Sequence, residues 1–532
     1  MKKNLLYFSC IVFLLCIFFT IHSCRKSNNS HLWDIDVLAP LVQSSFSIND
    51  ILTDSLLSKN PDNSFDVVYN NSLSSFKVIS VPDTTIDTTF FSPFQVVLDS
   101  CDVIIPSNND ETYFQIQPVQ LTSIKIYSGK MRIHIENTSR KILDIRYQIP
   151  SATLGTYSFD VTVTVPAKSA GTPGMITTDF DLSGYTLDLR GKNKTKTNTF
   201  VSSIGVKVNC NDIQKDTIFP FSDNIKISNS FIGIEPSYAK GYFGKVTESF
   251  SDTSDITLFN HIKSGSLSLE DIKVSFNIEN SVGVDARFTL KQLESINTKS
   301  ANQVSLSGSI IGNSQNINRA ADNNGIVVPA TYTTSFTTSN SNIKSFFENL
   351  PDKMAYNMSF EINPLGNISG SNDFYYKDKS IKTNMNVTFP LSLVANNLTM
   401  VDTVDFSLDA KSIQDINYGN LYLYADNGFP FYAQVQLFLM DNNFSVMDSL
   451  VTMPNAILAP ALDQNYICIG KQQSKIALSL DTRRLNSIKS CKKISIKIKF
   501  NTAGAPNYVK IYDNYKLDVK LVGDFNYAIK KK

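Results

Sequence analysis

Histidine is nearly absent from this chain of 532 residues, which has four in all. His22 sits near the N-terminus, and the other three, His31, His134 and His261, lie far apart in sequence. His134 alternates with Ile133 and Ile135, a pattern that turns it to solvent if the isoleucines face a core, and His261 falls in the turn-like "FNHIKSG". No H-E-x-x-H, C-x-x-C, G-x-S-x-G, P-loop or G-x-G-x-x-G occurs. The reading is therefore a non-enzyme, with no catalytic residue, no metal and no cofactor. A glycosidase-type carboxylate pair needs only two acids, and nothing in the sequence points to one. "ADNNG" (321 to 325) lacks the alternating oxygen ligands of a calcium loop and reads as a turn. The single tryptophan, Trp33, stands nine residues after Cys24, a place for a membrane-interface anchor or a packed strand residue rather than a sugar platform.

Charge is scarce too. Charged residues make up 18% of the chain, and 49 basic residues nearly balance 48 acidic ones. Without a basic stripe, nucleic acid is not an expected partner. Helical periodicity is rare. "SNIKSFFENL" (341 to 350) is the best short helix candidate, with Ser341 or Asn342 to cap it and Pro351 to stop it. After the first apolar run no second long one follows.

That first run, Leu5 to Ile21, follows Lys2 and Lys3 and is almost wholly apolar. Its length falls between a signal core of about 7–15 residues and a span of about 20. The flank decides. Ile21-His22-Ser23-Cys24 resembles the lipobox of bacterial lipoproteins. The resemblance implies a diacylglyceryl group on the Cys24 sulfur, cleavage before Cys24, and acylation of the new amine. Three acyl chains exceed the two signals that stable anchoring takes. An uncleaved signal anchor is the alternative. Residues 1–23 are then a lipoprotein signal peptide, and "RKSNNS" is a polar tether.

What is abundant is Ser, Thr, Asn, Tyr and Phe, the makings of strands joined by polar turns. Period-two patterns run along the chain, and three share a signature: "MRIHIENTSRKILDIRYQI" (131 to 149), "IKVSFNIENSVGVDARFTL" (272 to 290) and "LYLYADNGFPFYAQVQL" (421 to 437). Each is an alternating strand, an acid with an asparagine, a short connection and another alternating strand. Asn137, Asn280 and Asn427 mark the corners, 143 and 147 residues apart. Asparagine suits a corner because its side chain bonds nearby backbone and it tolerates positive φ.

Flanking phrases recur as well. "DTSDITL" (252 to 258) matches "DTVDFSL" (402 to 408). "TVPA" (164 to 167) and "VVPA" (327 to 330) match "TMPNA" (452 to 456). "YTLDLRG" (185 to 191) matches "IALSLDTRR" (476 to 484), and "SIGVKVN" (203 to 209) matches "KISIKIKFN" (493 to 501).

The expected fold is all-β, with about three tandem β-sandwich modules of about 145 residues, each large enough to bury a core. The predicted boundaries are 24–100 for the tether and an N-terminal β segment, then modules at 101–245, 246–396 and 397–532. Within 24–100, "SFDVVYNNSLSSFKVISV" (64 to 81) reads as one hairpin, and Pro40 interrupts "WDIDVLAPLVQSSFSINDIL" (33 to 52). "DFYY" (373 to 376) and "GFPFY" (428 to 432) offer aromatic faces, with core burial as the default.

The hairpin pattern faintly resembles the water-stress and hypersensitive-response domain, over about twenty residues in each module. As a whole, the chain resembles large uncharacterised outer-membrane lipoproteins of Bacteroidota through "WDIDVLAPL", "NPDNSFDVVYNNSL", "DLSGYTLDL" and "NGFPFYAQVQLFLMD". That family lends no activity to particular residues. It implies an outer-membrane, lipid-anchored location, periplasmic or surface-facing. Its membranes hold multi-lipoprotein assemblies, which implies outer-membrane barrel proteins or other lipoproteins as partners besides the membrane itself. Six triplets beginning at Asp54, Asp83, Asp87, Asp216, Asp402 and Asp448 look like the O-glycosylation sequon of the same group.

Besides Cys24, four cysteines lie beyond the signal: Cys101, Cys210, Cys468 and Cys491. An envelope location permits disulfides, and four cysteines allow three connectivities. Cys468 and Cys491 share a module and are the favoured pair, with buried free thiols as the alternative. The leading functional expectation is a non-enzymatic scaffold or interaction arm of the envelope. A glycan- or lipid-binding lipoprotein and a fimbria-like structural subunit are the alternatives.

Overall fold

The computed structural model describes residues 33–529, apart from 51, 53, 77–78, 92–95, 117, 213–216, 220–222, 407–415 and 455. The fold is all-β, with many antiparallel strands, as the alternating patterns predict. Among the described residues there are two α-helices. Ile343–Glu348 lies inside the expected helix and buries Ile343, Phe346 and Phe347, with Asn342 at its N-cap and Pro351 beyond its end. Thr482–Ser490 begins within the "IALSLDTRR" phrase, and no helix is expected there. Its signals are Asp481, whose carboxylate accepts from the Arg484 N–H, and the buried Leu485 and Ile488 at helical spacing.

One pairing pattern occurs around each of the three corner asparagines. Gln120–Asn137 lies between Gly174–Asp181 and Asn224–Tyr242, and Thr84–Phe91 pairs with the outer edge of the latter. Lys273–Asn280 lies between Ala330–Thr337 and Ile381–Pro390, with Phe65–Phe76 beyond the latter and the short Leu57–Lys59 at the edge. Ile416–Asn427 lies between Gln472–Leu480 and Leu517–Ile529, with Trp33–Phe46 outermost.

After each corner the chain enters a second ladder. Leu143–Leu154, Ala286–Asn297 and Phe431–Met440 pair with Thr199–Val208, Lys353–Ile362 and Lys493–Thr502. Those in turn pair with Val103–Tyr113, Val246–Asp255 and Ser392–Asp405.

The pairings sort the sequence matches. "SIGVKVN" and "KISIKIKFN" occupy equivalent strands. The two Asp-Thr phrases end equivalent strands, at Asp255 opposite Lys353 and Asp405 opposite Lys493. "YTLDLRG" does not occupy the place of "IALSLDTRR". That place belongs to Gly174–Asp181, while the short Thr186–Asp188 bridges Gln120–Asn137 and Leu143–Leu154.

The segment before residue 100 supplies the outermost strand in all three patterns, in reverse order along the chain. The hairpin expected at 64 to 81 is instead one strand, Phe65–Phe76, paired with Ile381–Pro390 more than 300 residues away. Asn70-Asn71 looks like a turn in sequence but continues the ladder, because Phe65, Val67 and Leu73 have a core to enter. Pro40 is tolerated in Trp33–Phe46 because that strand lies at a sheet edge and the register slips beside it.

Two compact units hold these patterns: Asp54–Asn260 with Leu269–Ser392, and Met1–Thr53 with His261–Ser268 and Leu393–Lys532. In the first, Phe114, Phe200 and Phe231 meet at centroid distances of 4.7 to 5.7 Å, and Phe76, Phe250, Phe288 and Phe360 form a second aromatic cluster. Each fully buried phenylalanine contributes about 2–3 kcal/mol. The long strand Gln120–Asn137 passes Gly129 at φ 138°, where an added Cβ would lie 2.9 Å from the Gly233 carbonyl oxygen, so only glycine lets the two strands approach there.

The disulfide differs from the favoured pair. It joins Cys101 and Cys210, while Cys468 and Cys491 are free thiols. Cys101 precedes Val103–Tyr113 and Cys210 follows Thr199–Val208, and these strands pair, so their ends bring the sulfurs together. Cys491 closes the Thr482–Ser490 helix, and its thiol donates to the Lys493 carbonyl oxygen. Cys468 lies in a loop, where its backbone N–H donates to Tyr515 Oη. Proximity in sequence misled because the module folds these two cysteines onto different elements. Closing a loop of 109 residues is worth about 5 kcal/mol in chain entropy. Cys101→Ser is expected to lower the stability of this unit by about 2–4 kcal/mol in urea unfolding, and the wild type under reductant should show the same loss.

Candidate binding surface

The three asparagine corners are structural and share one hydrogen-bond set. Asn137 Nδ2 donates to the Lys141 carbonyl at 2.8 Å and the Pro166 carbonyl at 3.0 Å, and its Oδ1 accepts from the Ser139 N–H at 2.9 Å. Asn280 donates to Val284 and Asn318 and accepts from Val282 at 2.8, 2.9 and 3.0 Å. Asn427 donates to Phe431 and Leu458 and accepts from Phe429 at 2.8, 3.0 and 2.9 Å.

Their exposures are 0%, 0% and 2%. None of the three has a positive φ, so the reason for asparagine is its paired donors and acceptor rather than backbone tolerance. Of the three proline phrases, only "TVPA" supplies the remote carbonyl, through Pro166. Asn318 and Leu458 take that part in the other two corners.

Other residues singled out in the sequence fall as follows. Cys24 and His31 lie outside the described residues. His134 is at the surface, with Nδ1 2.8 Å from Thr177 Oγ1. "ADNNG" is a hairpin tip in which Asn324 and Gly325 take positive φ and the Asp322 carboxylate accepts from the Gly325 N–H and from Tyr376 Oη. Of "DFYY", Asp373, Phe374 and Tyr375 are buried, as is Phe429 of "GFPFY". Asp448, one of the six sequon aspartates, is also buried, and Arg483 pairs with it at 2.8 Å. No group of three or more metal-ligating side chains occurs among the described residues. A cavity of about 20 Å³ inside the first unit, walled by Phe114, Ile124, Leu187 and Phe231, has room for about one water. It is far too small for a lipid chain.

The surface with the most chemistry is the outer face of the four-stranded sheet in the second unit. "NLYLYADN" alternates: Leu421, Leu423 and Ala425 are buried, and Tyr422 and Tyr424 point away from them. Across one neighbouring strand Tyr424 faces Lys475, and across the other it faces Lys520. The Lys475 ammonium lies 4.6 Å from the Tyr422 ring centroid and 5.4 Å from that of Tyr424, within cation–π range. Tyr424 is 38% exposed, and both lysines are exposed. Beyond this row, Lys471 binds Asp518 at 2.7 Å and approaches Asp426 at 4.0 Å. Lys471 holds the Asp518 carboxyl below its ordinary range through that hydrogen bond. The corner signature drew attention to this strand, but the outward tyrosines within it went unread. Their signal was the same alternation.

No protein-family model matches the chain, and no curated protein matches it. Among solved structures, a Parabacteroides distasonis ATCC 8503 protein described as secreted is similar at 13% identity and TM-score 0.27, covering 52% of this chain and 82% of that one. The infectious bursal disease virus Gx strain structure is similar at 10% identity and TM-score 0.11, covering 92% and 82%. The VP2 subviral particle of the same virus stands at 10% identity and TM-score 0.12, covering 90% and 85%. Likenesses this distant carry neither a fold assignment nor a function. Among the described residues no helix is long and apolar enough to cross a membrane.

Proposed function

We propose that the chain is a lipid-anchored protein of the outer membrane that acts non-enzymatically, as an interaction arm in a cell-envelope complex. The observation that carries the reading is the lacing of the N-terminal segment. The stretch that follows the lipobox-like Cys24 gives an edge strand to each of the three ladders in turn. Pull on an anchored N-terminus would load long antiparallel ladders rather than one loop. The register of Trp33–Phe46 against Leu517–Ile529 runs over 13 residue pairs. A register of this length would keep a surface held at a membrane folded while it binds a partner.

Cys24→Ser is expected to move the protein from the membrane to the soluble fraction and to abolish labelling by a palmitate analogue. Equal membrane retention without label would refute the lipid anchor. Affinity purification of the tagged wild type in mild detergent is expected to bring down an outer-membrane barrel protein in near-stoichiometric amount. Recovery of the protein alone would sink the interaction-arm reading.

A further inference from the structure

We infer that the outer face around Tyr422, Tyr424, Lys475 and Lys520 binds an acidic polysaccharide, with sugar rings against the tyrosines and sugar carboxylates on the two lysines. The anchoring and the barrel partner are not needed for it.

The argument begins with charge. Lys475 is held by aromatic rings, and among the described residues neither Lys475 nor Lys520 has a carboxylate within ion-pair distance. The nearest acids in register, Asp426 and Asp518, are taken by Lys471. Asp524 sits two rows away, opposite Asn420. The row Lys475–Tyr424–Lys520 therefore presents two positive charges with an aromatic ring between them. The row spans two strand spacings, about 10 Å, so the two lysines stand on either side of a sugar chain that runs along the strand over the tyrosines.

Ring stacking makes the second part. Tyr422 and Tyr424 lie one side-chain step apart on the same face, with centroids 6.5 Å apart, so successive rings of a polymer can lie on successive tyrosines. Their neighbours on the flanking strand, Gln473, Ala477 and Ser479, are exposed, so nothing on that side shields the row.

Two lysines on a near-neutral chain make a poor track for a nucleic acid, which is held mainly by rows of phosphate contacts. An acidic glycan has fewer charges per length and offers C–H faces to the rings. The face is a sheet surface rather than a cleft, which suits binding along a polymer and not at its end.

The test is affinity electrophoresis of the full-length protein in detergent through gels containing polygalacturonate or dextran. Retardation by polygalacturonate, weakened by added salt and absent with dextran, is expected. Tyr424→Ala and the double variant Lys475→Gln with Lys520→Gln should each weaken it about tenfold, while Tyr424→Phe keeps the ring and should bind like the wild type. These side chains point outward, and the circular dichroism of each variant checks that it folds. No retardation, or retardation that the variants leave unchanged, overturns the proposal. Equal retardation by dextran would remove the role of charge. Tighter binding to an oligo-dT strand or to anionic vesicles than to polygalacturonate would reassign the face to those partners.

Discussion

Asn280→Leu is expected to destabilise the unit that contains it by about 3–6 kcal/mol. Leucine shares the branched outline of asparagine but carries no donor or acceptor, and its greater bulk adds to the polar loss at a fully buried site. The substitution strips the Val284 and Asn318 carbonyls of their donor and the Val282 N–H of its acceptor, at a site that is 0% exposed. Each buried polar group left unpaired costs about 1–3 kcal/mol. Asn280→Asp should do no better, because a carboxylate brings no N–H for two carbonyls that face it. Hydrogen–deuterium exchange on the intact chain localises the change. Amides of Lys273–Asn280 and Ala286–Asn297 should exchange faster, and those of Ile416–Asn427, in the other unit, should not. A loss under 1 kcal/mol would mean that the shared bond set does not hold the corner. Asn427→Leu should mirror the result with the two units exchanged, since its bonds match to within 0.1 Å.

Much of the architecture was legible because it is written in alternation and in buried corners. Period two gave the strands. The recurring acid–asparagine pair marked the one place where a side chain must satisfy the same three backbone groups each time, and so it repeats at nearly even spacing. What was not legible is pairing at a distance. Nothing in "SFDVVYNNSLSSF" says that its partner is Ile381–Pro390, since a strand's own pattern fixes which face is apolar but not whose edge it joins. The disulfide failed for the same reason. Cys101 and Cys210 meet because the strands beside them pair, a long-range fact, whereas Cys468 and Cys491 are favoured in the sequence only because they share a module. The Tyr422–Tyr424 face was legible in principle. Once Leu421 and Leu423 are assigned inward, their neighbours must point out, but the two lysines that flank Tyr424 come from strands whose register only the fold supplies.

Asp373 shows what period two conceals altogether. "DFYY" draws attention through its aromatic rings, yet the aspartate before them is 0% exposed. Asp373–Tyr376 pairs with the far end of Asn224–Tyr242, so this short strand ties the second ladder pattern to the first within one compact unit. The aspartate fixes the joint. One carboxylate oxygen accepts from Arg319 Nη2 at 2.6 Å, and the other accepts from the Phe243 N–H at 2.9 Å and from Asn363 Nδ2 at 2.7 Å. Arg319 also donates to the Gly283 carbonyl at 2.6 Å. An added Cβ at Gly283 would lie 2.1 Å from the Phe374 ring, so the backbone has no slack with which to absorb a change.

Removing the carboxylate leaves the Phe243 N–H without its acceptor. It also takes one acceptor each from Arg319, which keeps the Gly283 carbonyl, and from Asn363 Nδ2, which keeps the Gly244 carbonyl at 3.1 Å. A buried polar group left without its partner costs about 1–3 kcal/mol, so with the weakened Arg319 and Asn363 bonds the loss should be about 2–4 kcal/mol. Asp373→Asn is the sharper test. Its shape is unchanged, but both carboxylate positions face donors, so whichever way the amide turns, its NH2 meets a donor. Asp373→Asn should therefore cost nearly as much as Asp373→Ala in urea unfolding. If the asparagine variant were within about 1 kcal/mol of the wild type, the joint would be held by packing around Phe374 and not by this charge.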